Sequence, residues 1–334
     1  MTDAPVLAEV WRGDRVESVH RGHVVIATPA GQVLEGWGDP ERVIFPRSAV
    51  KPLQALPLLE SGAFDAAGLG AVELALATAS HAGAALHTRP VRAWLARLGL
   101  GEGDLRCGAQ MPEAAADRAD LIRRGAAPDQ THNNCSGKHT GFLTLSQHLG
   151  AGPDYIDVAH PVQKAVRTAF EEMTDETSPG FGIDGCSAPN FACSLRGLAR
   201  AAAQLAEPTG LGPRRTDAAR RIVAAMAAHP LLIAGRGRAC TRLTEAAAGG
   251  AIVKTGAEGV FVGICPALGC GIALKIEDGA TRAANAAMAA ILQRLGVLAP
   301  GDPAAEAFLA APIANRRGLV TGAVRAAPTL LAPQ

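Results

Sequence analysis

The sequence is poor in lysine, in aromatic residues and in net charge, and each shortage excludes a class of protein. Aromatic residues make up 4% of the 334 residues, with a single tyrosine, and the formal net charge is +1. Neither a base-stacking surface nor a charged field that attracts nucleic acid or a membrane is therefore indicated. The chain lacks an uncharged apolar run of the ~18 residues that a membrane span needs, and its start lacks a signal-peptide pattern. We expect a soluble, cytoplasmic protein.

Cysteine pairs with the spacing of zinc fingers are also missing. The chain has seven cysteines, and no two of them form a C-x₂-C pair. An odd number of cysteines in a chain without an export signal favours reduced thiols over a disulfide framework.

Lysine is the scarcest charged residue. The 32 basic residues include 27 arginines and only five lysines, which are Lys51, Lys138, Lys164, Lys254 and Lys275. A buried lysine can lose its proton, whereas an arginine cannot. Each lysine is therefore a candidate for a role that requires a free amine.

Strand-like segments at both ends of the chain enclose a long helical middle. The first forty residues form short β-branched segments between Gly-rich turns, which predicts an antiparallel meander. Apolar residues then recur at helical spacing from Ser48 to about 228. Strands return over 251–279, a helix follows over 280–296, and the tail is predicted to be Pro-rich coil.

This order predicts an α+β fold in which one antiparallel sheet is built from both chain ends, flanked by helices and interrupted by a helical insert. We expect one compact unit, 1–334. Its sheet-bearing part is 1–47 and 246–334, and its helical part is 48–245.

The segment FPRSAVKP (45–52) places Ser48 at a predicted helix start and Lys51 three residues later. Side chains spaced i, i+3 share one helical face, and the N–H groups at a helix start favour a developing alkoxide. An uncharged Lys51 would accept the proton of Ser48. The plainer alternative is that Ser48 only caps the helix and that Lys51 is solvated.

A second motif, K-T-G at 254–256, lies in a predicted strand. S-x-x-K on a helix together with K-T-G on a strand resembles the signature of penicillin-binding proteins and class A β-lactamases. The segment TASHAG puts Ser80 where those enzymes carry a further polar element, although no S-D-N triplet is present. The two motifs favour an acyl-transferring serine hydrolase with a serine β-lactamase/transpeptidase-like fold.

Two polar, glycine-rich segments carry cysteines. Cys135 is followed by Lys138 and His139, and Asp184 lies two residues before Cys186. Two thiolates with a carboxylate or an imidazole would form a zinc site. The alternatives are a helix cap at Asn133 or Asn134, a buried free thiol, and a cysteine nucleophile with His139.

Together these segments resemble the asparaginase II family, the rhizobial type of L-asparaginase, whose fold is related to serine β-lactamases. The matching segments run in order from residue 45 to about 263: FPRSAVKP, TASHAG, HNNCSGKHTG, IDGCSAPNFA, the HP dipeptide at 229–230, and VKTGAEGVF. The N-terminal segment WRGDRVESVHRG is also similar. The resemblance implies hydrolysis of L-asparagine to L-aspartate and ammonia, by a homodimer.

The resemblance also implies roles for individual residues. Ser48 with Lys51 would form one Ser–Lys dyad, and Ser80 with Lys254 a second. Arg47 and His139 would line the substrate pocket, and Cys135, Lys138, Asp184 and Cys186 would surround a zinc ion that orients the substrate. Ser48 is the favoured nucleophile because it lies at the helix start. The alternatives are a glutaminase or another serine amidohydrolase of this fold, a zinc-dependent amidohydrolase, and a non-catalytic zinc-binding scaffold.

Overall fold

The structure is a computed structural model that describes residues 4–331. The strands are β1 Val6–Arg12, β2 Arg15–Ala27, β3 Val33–Trp37, β4 Val43–Ile44, β5 Phe181–Ile183, β6 Pro189–Phe191, β7 Cys193–Ser194, β8 Ile252–Thr255, β9 Val260–Cys265, β10 Cys270–Ile276, β11 Ala310–Ala314 and β12 Val320–Ala326. The helices are α1 Lys51–Gln54, α2 Leu56–Glu60, α3 Ala63–Ala66, α4 Ala71–Thr78, α5 Ala85–Arg97, α6 Ala115–Arg123, α7 Ser136–His148, α8 Pro161–Thr174, α9 Leu195–Ala206, α10 Pro213–Ala228, α11 Pro230–Ile233, α12 Ala239–Ala246, α13 Thr281–Arg294, α14 Pro303–Leu309 and α15 Pro328–Leu331. Short 3₁₀ turns occupy Arg47–Val50, Glu102–Asp104, Gln130–His132, Ala248–Gly250 and Pro266–Leu268.

The described chain divides into two compact units. The first contains 4–49, Cys193–Thr209 and 242–331, and the second contains Val50–Ala192 and Gly210–Thr241. We predicted a single compact unit with a sheet-bearing part, 1–47 and 246–334, and a helical part, 48–245. Because that prediction concerns how the two units associate, it stays a prediction.

The first unit carries an eight-stranded sheet that uses both chain ends. The strand order is β11-β12-β1-β2-β10-β9-β8, with β3 pairing to β2. Every pair in this sheet is antiparallel. This arrangement confirms the predicted α+β class and the predicted antiparallel sheet.

Strand β2 is longer than the sequence predicted. The pattern around Gly22 predicted two separate strands, but β2 runs for 13 residues through that glycine. A Cβ at Gly22 would lie 2.3 Å from the carbonyl oxygen of Lys275. Glycine therefore allows β10 to approach closely, and one strand can pair with β1 along its first half and β10 along its second.

Helix α9 packs on the sheet through another glycine. A Cβ at Gly271 of β10 would lie 2.2 Å from both Ala199 O and Ala203 N. The backbone of α9 therefore lies almost directly on β10. Helix α13 also packs against β1, β9, β10 and β12.

The tail prediction was wrong. Residues 303–331 form α14, β11, β12 and α15 instead of coil. Strand β11 is at the edge of the sheet, where Pro312 is tolerated because an edge strand leaves some N–H groups unpaired. Strand β11, AAPIA, has a single β-branched residue, and β12, VTGAVRA, contains a glycine and two alanines, so their patterning was too weak to predict them.

The second unit is built around α7, whose residues from Ser136 to Ser146 are all buried. A Cβ at Gly137 would lie 2.3 Å from the carbonyl oxygen of Leu76 in α4. The two helix backbones are therefore in close contact at the start of α7. The Gly/Pro-rich segment after α8 contains the small hairpin β5–β6.

The helix predicted from Ser48 is broken. A 3₁₀ turn at Arg47–Val50 leads into α1, and α2 begins after Ala55. Each short helix has a proline in its first turn, Pro52 and Pro57, where its missing N–H is not needed. Within residues 4–331 no helix is both long enough and apolar enough to cross a membrane.

Candidate active site

Lys51 and Ser80 form a buried pair in the second unit. Lys51 begins α1 and is 1% exposed, and Ser80 follows α4 and is 6% exposed. The side-chain nitrogen of Lys51, Nζ, lies 2.9 Å from Ser80 Oγ and also donates to the carbonyl oxygen of Ala79. The sequence did not predict this pairing, because the two residues belong to different motifs.

The backbone on both sides of this serine is anchored. Ser80 N donates to Ile233 O at 2.8 Å, and His81 N donates to Asn134 O at 3.1 Å. Ser80 is therefore tied on one side to the end of α11 and on the other to the segment that leads into α7. These bonds fix the serine relative to the cysteine and lysine at the start of α7.

The side chain of His81 adds a third connection. Its Nδ1 accepts from Gly83 N at 3.1 Å, so its Nε2 carries the proton and donates to Ser136 Oγ at 2.9 Å. Ser136 Oγ in turn donates to Thr131 O. His81 therefore links the serine segment to α7.

Burial and neighbouring charge keep His81 neutral. Its pKa is held well below the ordinary value by burial first, and then by His87 and Lys51. The rings of His81 and His87 stack with their centroids 4.8 Å apart. Burial also lowers the pKa of His87 to about 4.

Ser48 and the K-T-G segment lie together in the first unit. A Cβ at Gly256 would lie 2.7 Å from Pro46 O and 3.2 Å from Ala49 N, so the K-T-G backbone runs against the turn that carries Ser48. This is the placement that the S-x-x-K and K-T-G motifs require. Lys254 in β8 is fully buried, and its Nζ donates to Thr255 O at 2.8 Å.

Ser48 is half-buried within the 3₁₀ turn, and the residue that caps α1 is Val50. The prediction that a long helix starts at Ser48 was therefore wrong, and so was the alternative in which Ser48 caps that helix. Arg47, immediately before it, has a φ of 51°, a left-handed conformation that is strained for a residue with a Cβ. Such strain typically costs about 1–3 kcal/mol and concentrates at functional sites. The dyads Ser48–Lys51 and Ser80–Lys254 stay predictions.

The residues predicted to bind zinc come together in the second unit. Lys138 Nζ lies 3.0 Å from Cys186 Sγ, and the Cys135 thiol donates a hydrogen bond to Asn134 Oδ1 at 2.9 Å. Cys135, Cys186 and Lys138 are each 4% exposed. Asp184 is half-buried in the turn between β5 and β6, and its charge acts on Lys138.

The charges of this cluster favour a thiolate at Cys186 beside an ammonium at Lys138. The pKa of Cys186 is held well below its ordinary value by its interaction with Cys135, by the Lys138 charge and by His139. The pKa of Cys135 is correspondingly raised, by the same interaction and by burial. Burial opposes the charge on Lys138, but the Cys186 and Cys135 sulfurs outweigh it and raise the pKa of the amine.

The donor set fits a zinc ion only with the lysine included. Within residues 4–331 no three His, Cys, Asp or Glu side chains are placed to hold a metal ion. Two thiols and an amine are suitable zinc donors, but the amine must first lose its proton. Zinc would therefore compete with the proton that now joins Lys138 to Cys186.

His139 and Tyr155 lie beside this cluster. His139 is fully buried, and its Nδ1 lies 2.9 Å from the Tyr155 hydroxyl. Burial lowers the pKa of His139 to about 4. Sequence reasoning missed Tyr155, the single tyrosine, because nothing in its own segment, PDYID, indicates a site.

Comparison with solved structures gives distant similarities. The chain matches structures titled Mglu, the first with a TM-score of 0.47 and 16% identity, over 84% of this chain and 66% of that one. It also matches a β-lactamase from Mycobacterium bovis, with a TM-score of 0.42 and 15% identity, over 81% of this chain and 94% of that one. The chain spans about two thirds of the length of the Mglu chains.

Comparison with protein families is more informative. No curated protein matches the chain. The family model described as L-asparaginase II matches residues 8–326, nearly the whole chain. The chain therefore belongs to the L-asparaginase II family, a family of amidohydrolases.

Proposed function

We propose that the protein hydrolyses L-asparagine to L-aspartate and ammonia with a serine nucleophile and a lysine base. Membership of the L-asparaginase II family supports the substrate. The observation that carries the mechanism is the buried hydrogen bond between Lys51 and Ser80. A lysine amine that exchanges a proton with a serine hydroxyl is the central requirement of Ser–Lys catalysis.

Ser48 is the proposed nucleophile. It is half-buried and so more accessible than Ser80. Uncharged Lys51 accepts the proton of Ser48 as its oxygen attacks the side-chain amide carbon. The C–N bond breaks as Ser80 gives its proton to the leaving nitrogen and takes one from the Lys51 ammonium. Ammonia departs and a β-aspartyl ester remains on Ser48.

Water completes the cycle. Lys51 accepts a proton from the water that attacks the ester, the ester C–O bond breaks, and Ser48 takes the proton back as aspartate leaves. Lys254 is proposed to support the Ser80 hydroxyl, and Arg47 and His139 to bind the substrate.

Cys135, Lys138, Asp184 and Cys186 are the proposed zinc ligands. A bound zinc ion would supply a positive anchor for the α-amino or α-carboxylate end of the substrate. The ion pair between Lys138 and Cys186 gives a physical reason for the lysine at this position, since both are zinc donors once the proton has left.

Ammonia release from L-asparagine by the purified protein tests the proposal, with L-glutamine as the competing substrate. Metal content and molecular mass read on the same sample test the zinc ion and the homodimer. Ser48→Ala should lower kcat by a factor on the order of 10⁴ or more, and Ser80→Ala by about 10²–10⁴. A Ser48→Ala enzyme with near-normal turnover would end the assignment.

Two alternatives have their own outcomes. A preference for glutamine would make the protein a glutaminase with the same Ser–Lys chemistry. Loss of all turnover on chelation, with Ser48→Ala still active, would favour attack by metal-bound water. The cytoplasmic location stays a prediction.

A further inference from the structure

The hydroxyl of Tyr155 has two hydrogen-bond partners, and together they determine the direction of each bond. The backbone N–H of Arg106 donates to the Tyr155 oxygen at 2.8 Å. The second partner is His139 Nδ1, at 2.9 Å. A phenol has one proton to give. Because the Arg106 N–H occupies an acceptor position, the phenolic proton is directed to His139 Nδ1.

The alternative tautomer would leave a buried proton unused. If His139 Nδ1 carried the proton, the Tyr155 oxygen would accept twice and its own O–H would have no acceptor among the described residues 4–331. Tyr155 is fully buried, so that unpaired donor would carry an uncompensated desolvation penalty. The phenol also stays protonated, because burial raises the pKa of Tyr155.

The position of the tyrosine ring is itself fixed. Gln163 Nε2 donates to the Tyr155 carbonyl at 2.7 Å. The rings of Tyr155 and His139 meet edge-on, with centroids 5.4 Å apart, and Phe142 packs against both. Neither ring can turn without disturbing this cluster, so the hydroxyl is held on Nδ1.

The consequence appears at the other nitrogen of the imidazole. With Nδ1 accepting, Nε2 carries the proton. His139 Nε2 is buried and makes no hydrogen bond of ordinary geometry within residues 4–331; its nearest influence there is on Cys186, whose pKa it lowers. A buried N–H donor that faces the thiolate cluster is available for an acceptor that arrives with a ligand.

We propose that Tyr155 is a positioning residue that holds His139 in the Nε2–H tautomer, so that His139 donates a hydrogen bond to a substrate oxygen and is not a metal ligand. The second half rests on the proposed function, because it requires an oxygen-bearing substrate. The first half concerns the resting protein and stands without it. A protonated Nε2 has no lone pair for a metal, and the Tyr155 proton blocks Nδ1.

The direct test is ¹⁵N NMR of histidine-labelled protein at neutral pH, with the His139 signals assigned by their loss in His139→Gln. Wild-type protein should show an unprotonated Nδ1 and a protonated Nε2. Tyr155→Phe removes the proton donor and should give a mixture or the opposite tautomer. A protonated Nδ1 in the wild type, or an unchanged pattern in Tyr155→Phe, would overturn the assignment.

Kinetics test the link to the substrate. Tyr155→Phe should lower kcat/KM for asparagine by about 10–100-fold, the usual effect of losing a residue that orients a functional side chain. In His139→Gln the side-chain amide presents its N–H donor without needing the tyrosine proton. Adding Tyr155→Phe to that variant should therefore cost less than about threefold. Equal losses in both backgrounds would mean that Tyr155 acts only through packing.

Thr144→Val is the matched control, because it removes a different buried hydroxyl, one that lies in α7. Thr144 Oγ1 accepts from Trp94 Nε1 at 3.1 Å, away from the thiolate cluster. This variant should lose stability without changing the His139 signals. A changed tautomer in Tyr155→Phe with unchanged kcat/KM would refute the donor role while leaving the proposed asparaginase activity intact. A protein with the expected tautomer but no asparagine turnover would refute the proposed function instead.

Discussion

Two buried lysines of the second unit, Lys51 and Lys138, have opposite surroundings. Lys51 donates to a hydroxyl and a carbonyl, both uncharged, and within residues 4–331 no carboxylate pairs with it. Lys138 lies against a thiolate, which raises its pKa. In the proposed mechanism the same side chain exchanges a proton in one place, whereas it holds a charge in the other. The difference lies in the partners, since the two residues are similarly buried.

The comparison predicts its largest effect at Lys51. Lys51→Arg keeps a positive hydrogen-bond donor but cannot accept a proton. We expect kcat to fall by about 10²–10⁴, as for other lost acid–base groups, and Lys51→Met should fall as far. Ammonia release measures both variants. If Lys51→Arg retained wild-type turnover, the residue would act through its charge, and the contrast with Lys138 would disappear.

Lys138 should show a smaller loss with a different signature. Lys138→Met removes one proposed zinc donor, and we expect zinc affinity and kcat/KM to fall by about 10–100-fold. Bound metal is read by elemental analysis after equilibration with buffered zinc. The exposed Lys164 provides the control, since Lys164→Met should change neither quantity. Full zinc binding by Lys138→Met would remove the lysine from the ligand set.

The stacked histidines beside Ser80 predict a loss of stability in acid. The unfolded chain binds a proton on His87 at about the ordinary pKa of 6.5, whereas the folded protein binds it only near 4. Stability is therefore lost as the pH falls through this window. At about pH 4.5 the contribution of His87 to this loss is about 2–3 kcal/mol.

Urea unfolding at about pH 7.5 and 4.5 measures this loss. His87→Gln cannot titrate and should lose less stability between the two pH values than wild type. The exposed His148 gives the control, because His148→Gln should follow the wild-type profile. An equal pH dependence in His87→Gln and wild type would show that other groups cause the acid loss.

The smallest effect is expected at the glycine that joins the two lysine sites. Gly137 precedes Lys138 and lies against Leu76 of α4, the helix that leads to Ser80. Gly137→Ala would force α4 and α7 apart and should lower the free energy of unfolding by about 1–3 kcal/mol. Gly152→Ala, at a glycine with open space around it, should be nearly neutral. Equal stability of the two variants in thermal unfolding would contradict the close contact.

The sequence predicted what depends on local pattern and failed where distant residues decide. The sheet from both chain ends followed from turn and strand signals. The S-x-x-K and K-T-G motifs predicted that the strand with Lys254 lies beside the segment with Ser48. The pairing of Lys51 with Ser80 could not be predicted, because it depends on how the end of α4 meets α1. The role of Tyr155 depends on a single hydrogen-bond direction, for which no residue pattern exists.

The position of β1 in the sheet has a consequence for biosynthesis. This strand, Val6–Arg12, is synthesised well before β12, Val320–Ala326, which is one of its two neighbours in the sheet. One edge of β1 therefore stays open while some 300 residues are translated. Pairing of such distant segments is slow because a long loop must close first. During synthesis that open edge is the part of the first unit most exposed to mispairing with other nascent chains.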